Sequence, residues 1–71
     1  MPLMMLQVGE AALISEIRCA KNSRVRLAEM GLNVGTLVRV VNRNSSGVVL
    51  ALKESRLALQ SGMAQQIQVN L

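Results

Sequence analysis

The chain has 71 residues, a net charge of +4 and no Phe, Tyr, Trp, His or Asp. A chain this short holds one compact core, here filled by Leu, Ile, Val, Met and Ala, and its inventory excludes whole classes of function. Aromatic-lined grooves for proline-rich ligands, base-stacking platforms and Ser-His-Asp or Cys-His catalytic sets all need side chains it lacks.

The only carboxylate side chains are Glu10, Glu16, Glu29 and Glu54, and the only thiol is Cys19. That set has no metal-ligand spacing, so no resident metal or cofactor is expected, and the chain is not read as an enzyme. Eight Lys or Arg against four Glu give a pI of about 10.8, which favours anionic partners. A single cysteine closes no intrachain disulfide, which suits a reducing cytoplasm. Residues 1–8 are apolar but lack the basic flank and small-residue cleavage site of a secretory signal. No run reaches the roughly 20 apolar residues that span a bilayer. The expectation is a single cytoplasmic domain over residues 1–71 with no direct membrane insertion.

In chain order, residues 3–8 form a lead-in stopped by Gly9, and residues 12–18 a strand in which Ile14 and Ile17, three apart, require a bulge or bend. Residues 22–32 read as a helix of about two turns, with Asn22 or Ser23 as its cap and Gly31 as its left-handed stop. Leu27 and Met30 share one face toward the core while Arg24, Arg26 and Glu29 reach water, so the helix lids a sheet. Residues 33–36 fit a type II turn with Gly35 supplying the positive φ, and a β-branched strand follows over 36–41. Residues 42–47 read as a polar turn, 48–52 as an apolar strand completing a hairpin, and Glu54 and Ser55 as the next corner. Residues 56–60 alternate, 61–64 make one helical turn capped by Ser61, and 66–71 alternate with Ile67, Val69 and Leu71 facing inward. Five short strands around one short helix predict a mainly β fold, a small closed or nearly closed barrel whose closure hides its strand edges.

The segment Arg26-Leu27-Ala28-Glu29-Met30-Gly31-Leu32-Asn33-Val34-Gly35-Thr36 resembles the rL-x-E-M-G-L-x-x-G-T signature of the FeoA family of ferrous-iron transport accessory proteins. Val8-Gly9, Ile14 with Ile17, Val38-Arg39-Val40, Ser46-Gly47, Arg56-Leu57-Ala58-Leu59 and Ala64-x-x-Ile67-x-Val69 follow the same pattern, so the resemblance spans the chain. It departs at Gln60-Ser61-Gly62, where the family often carries a basic residue, and this weakens any role for charge at that corner. The resemblance implies an SH3-like β-barrel with one short inserted α-helix. It also implies a non-enzymatic accessory or regulatory module that docks onto the FeoB-type membrane ferrous-iron transporter, at its cytosolic GTPase region, and modulates it. Contact with ferrous or another transition metal would be weak or transient. The same barrel type occurs in metal-dependent repressors, so a nucleic-acid-associated or repressor-type SH3-like adaptor is the alternative. The absent aromatics disfavour nucleic acid.

Arg24, Arg26, Arg43 and Arg56 are candidates for a basic docking face, with Glu29 on the same exposed helix surface as the first two, and solvated decoration explains the same pattern equally well. Leu27, Met30 and Leu32 are read as core, Gly31 and Gly35 as backbone geometry; two glycines four apart with no following Lys and Ser or Thr make no phosphate loop. Cys19 is read as a small apolar or turn residue ahead of a soft iron ligand. Met1, Met4 and Met5 are read as start-site and packing residues, because thioethers suit cuprous better than ferrous ions. Self-association through an exposed strand edge stays open as a homo-oligomeric arrangement.

Overall fold

The computed structural model describes all of residues 1–71. Its strands are β1 Ala11–Ile17, β2 Leu37–Asn44, β3 Gly47–Ala51, β4 Arg56–Gln60 and β5 Ile67–Asn70. A 3-10 turn Leu3–Met5 precedes β1, helix α1 Lys21–Glu29 links β1 to β2, and the single turn α2 Ser61–Ala64 links β4 to β5. The strands form one antiparallel sheet in the order β4-β3-β2-β1-β5.

Alternation along each strand puts Ala12, Ile14, Val38, Val40, Val48, Leu50, Leu59, Ile67 and Val69 on one face, and all of them join a single buried cluster with Leu3, Leu6, Cys19, Leu27, Leu32 and Ala64. A sheet whose five strands all feed one core must curl around it, which makes the SH3-like barrel. No polar or charged residue is buried, so the core is held by apolar packing alone.

β4 and β5 do not pair. Instead α2 spans the gap with Ala64 fully buried, and the start of the chain takes the outer edge of β5. There the Val69 N–H donates to the Met1 carbonyl at 2.7 Å, the Met1 ammonium donates to the Val69 carbonyl at 3.0 Å, and Pro2 bridges to Gln68. The barrel is therefore nearly closed, and β4 keeps a free edge.

The bulge demanded by Ile14 and Ile17 is present: the β1–β5 register shifts between Ile14 and Glu16, leaving Ser15 as the extra residue. The turn at 33–36 also forms as expected, with Gly35 at φ +91° and the Thr36 N–H donating to the Asn33 carbonyl at 3.0 Å. It is stitched to β1 by Gly35 N–H to the Ile14 carbonyl at 2.7 Å and Ile14 N–H to the Thr36 carbonyl at 2.9 Å.

Other boundaries differ for identifiable reasons. Asn42, Arg43 and Asn44 are strand and not turn, paired with Val49, Val48 and Gly47 after a second bulge between Val40 and Asn42. The turn shrinks to Ser45 and Ser46 because the Asn44 carboxamide oxygen accepts the Ser46 and Gly47 N–H groups at 2.8 and 3.2 Å. Helix α1 begins at Lys21 with Ala20 at the cap position and no side-chain cap, because the buried Cys19 fixes where the chain rises from the core. Likewise Gln60, and not Ser61, stands at the cap of α2.

At its far end α1 stops as expected in a glycine motif: Gly31 sits at φ +92°, the Leu32 N–H reaches the Leu27 carbonyl at 2.9 Å and the Gly31 N–H the Ala28 carbonyl at 3.0 Å. This reversal buries Leu27 and Leu32 and leaves Met30, expected in the core, 46% exposed at the helix end. Leu71, expected to face inward, lies beyond the last paired residue and is 76% exposed.

Candidate docking surface

Two open grooves meet at Met30. The larger, about 740 Å³, runs between the Gly31 turn and the corner after β3, with Leu37, Arg39 and Ala11 on its floor and Leu52, Lys53, Glu54 and Ser55 on its far wall. Thr36 braces its near wall, its Oγ1 accepting the Asn33 N–H at 3.1 Å and donating to the Gly31 carbonyl at 3.4 Å. The smaller, about 310 Å³, separates α1 from the free side of β4 and is walled by Leu27, Met30, Ala58, Leu59 and Met63, with Ser23, Arg26 and Gln60 at its rim.

The electrostatics are dominated by unpaired cations. The one ion pair is Arg18 Nε to Glu16 Oε2 at 3.1 Å, and the hydrogen bond from Arg18 holds the Glu16 carboxyl below its ordinary value. Two arginines are engaged with backbone: Arg39 donates to the Gly9 carbonyl at 2.6 Å and Arg43 to the Leu6 carbonyl at 3.1 Å, tying the lead-in to β2. Arg24, Arg26 and Glu29 all stand exposed on α1, Arg56 is exposed at the start of β4, and none of them is in an ion pair. Of the predicted docking residues Arg26 lines the smaller of these grooves and Arg43 a separate hollow along the β2–β3 hairpin; the structure does not gather Arg43 and Arg56 with the helix into one patch.

The larger groove was missed from sequence, although one signal was there. Leu37 lies on the strand parity of the exposed Arg39, an apolar side chain where alternation calls for a polar one. The register sets it opposite Leu13, so Leu13, Leu37 and nearby Val34 leave exposed apolar surface on the outside of the barrel. No group of three His, Cys, Asp or Glu side chains comes together. The buried Cys19 Sγ donates to Met63 Sδ at 3.0 Å.

Fold and surface together define a small SH3-like barrel with a short inserted helix and open grooves. The FeoA domain family matches it over residues 1–71, and the chain belongs to that family, the ferrous-iron transport accessory proteins. An Fe(2+) transport protein A of Methanocaldococcus jannaschii is 29% identical over 68 residues, spanning 96% of this chain and 83% of the relative. A solved iron uptake regulatory protein (FeoA) superposes with a TM-score of 0.88 at 26% identity, covering 97% of this chain and 93% of its own. The zinc-complexed FeoA of Stenotrophomonas maltophilia, described as a prokaryotic SH3 domain protein, superposes with a TM-score of 0.82 at 24% identity, over 99% of this chain and 89% of its own. No helix is long and apolar enough to cross a membrane.

Proposed function

We propose that the chain is a non-enzymatic module that docks onto the cytosolic GTPase region of a FeoB-type ferrous-iron transporter and modulates it. The observation that carries this reading is the unpaired cationic face of α1, with Arg24 and Arg26, beside an apolar groove. Apolar area supplies affinity and unpaired charge supplies steering and register toward an acidic surface. Ferrous iron is then the partner's cargo, and this chain contributes contact and no chemistry. Glu29 on the same helix sets the polarity of the face, and Arg56 stands apart from it at the start of β4.

The test is calorimetric titration of the chain into the isolated cytosolic GTPase domain of its cognate transporter at physiological salt. Saturable binding, weakened at least about tenfold by Arg24→Glu with Arg26→Glu, is the expected result. An absence of binding at any attainable concentration overturns the reading. The net charge of +4 favours one competitor, a nucleic-acid contact. Binding of that kind falls by orders of magnitude as salt rises from low to physiological, whereas a shape-matched protein contact falls far less.

A further inference from the structure

We propose that the free edge of β4 is a strand-addition site, where an extended segment of the protein partner, with an apolar residue flanked by carboxylates, pairs with the backbone at Arg56 and Ala58 beside α1. The proposal rests on the docking role above and names its contact.

The phase of the β3–β4 ladder shows which backbone groups are free. Pairs run Val48 with Leu59, Val49 with Ala58, Leu50 with Leu57 and Ala51 with Arg56. The Ser61 N–H donates to the Ser46 carbonyl at 2.8 Å and the Leu52 N–H to the Ser55 carbonyl at 2.7 Å, both in the same register. Hydrogen-bonded and non-bonded pairs alternate in an antiparallel ladder, so Leu57 and Leu59 bond to β3 while Arg56 and Ala58 do not. The N–H and C=O groups of Arg56 and Ala58 therefore point away from β3, to the side where no strand pairs. The other end of the sheet offers no such row, because Met1 and Pro2 already occupy the edge of β5.

An unpaired row of backbone donors and acceptors is a template for an incoming strand. Its surroundings select the occupant. Leu27, Met30, Leu59 and Met63 give an apolar wall for a side chain of that strand, and two flexible methionines let the wall adapt. The only charged side chain lining the groove is Arg26, no carboxylate lines it, and Arg56 adds a second cation at the start of the edge. A segment bearing carboxylates fits that field. A second copy of this chain does not, because pairing two β4 edges brings both copies of the Arg26 helix face to one seam. The larger groove fits less well, because Lys53 and Glu54 make its rim mixed in sign.

The deciding measurement is residue-resolved amide hydrogen exchange on the full chain, free and saturated with the cytosolic GTPase domain of the transporter. Titrations of Ala58→Pro, which removes one edge donor at a position where proline is tolerated, and of Lys53→Glu accompany it. The Arg56 and Ala58 amides should exchange freely in the free chain and slow by about tenfold or more in the complex. Ala58→Pro should weaken binding by about tenfold, and Lys53→Glu should leave it unchanged. A saturated complex in which both amides still exchange at the free rate overturns strand addition and leaves the docking role standing. No complex at all overturns both. Slowing of the same amides with rising concentration of the chain alone assigns the edge to a second copy and overturns the proposed occupant.

Discussion

Gly47 at the start of β3 lies against the Leu59 carbonyl oxygen of β4 so closely that a Cβ at position 47 would overlap it. The neighbouring atoms are all backbone of Leu59 and Gln60, with the Leu59 carbonyl carbon at 3.0 Å and the Gln60 Cα at 3.1 Å from that Cβ, so no flexible side chain can yield. Gly47→Ala should therefore cost about 1–3 kcal/mol, as overpacking does elsewhere, read as a lowered midpoint in urea unfolding.

Two other glycines should respond with opposite signs. Gly31 holds φ +92°, so Gly31→Ala forces a side chain into the left-handed region at a cost of about 1–2 kcal/mol. Gly62 lies inside α2 with open space at its Cβ position and no positive φ, so Gly62→Ala should stabilise by about 0.5–1 kcal/mol. Thermal unfolding should resolve both, since about 1 kcal/mol moves the Tm of a domain this small by roughly 4–8 °C.

The exposure of Met30 and Leu71 is testable against a true core position. Leu50 is fully buried, and Leu50→Ala should cost about 2–5 kcal/mol, a large share of the roughly 5–15 kcal/mol that holds a typical domain. Met30→Ala and Leu71→Ala should stay within about 0.5 kcal/mol. Comparable losses at Met30 and Leu50 in chemical denaturation would contradict the packing described.

Arg18 donates to Glu16 at 3.1 Å and keeps its carboxyl below the ordinary value of 4.5. A carboxyl with a depressed folded-state pKa adds stability above its unfolded pKa and loses it as pH falls through the folded value. Both side chains are more than half exposed, so the contribution is small and screened by salt. An NMR titration should find the Glu16 carboxyl below 4.5 in the native chain and shifted up by Arg18→Gln, while the midpoint of acid unfolding barely moves.

Much of the fold was legible because it rests on local rules. The spacing of Ile14 and Ile17 calls for a bulge or bend in the strand, and a bulge is what forms; the glycines at 31 and 35 fill positions that other residues adopt at a cost. The chemical inventory was equally legible, since a chain without His or Asp contains no catalytic set built on them whatever its fold. The FeoA signature at residues 26–36 falls on these same local features, which is why motif and fold agreed.

What the sequence withheld depends on partners distant along the chain. Asn42 to Asn44 read as a turn until β3 supplied their ladder, and Met30 read as core beside Leu27 and Leu32 until the Gly31 reversal left it at the exposed end of the helix. Arg39 and Arg43 look like free surface charge in sequence, yet carbonyls of the lead-in, some thirty residues earlier, accept their guanidinium protons. The free edge of β4 is the clearest case. Whether a strand's backbone is paired depends on what the barrel sets beside it, and a chain spells its side chains without spelling its neighbours.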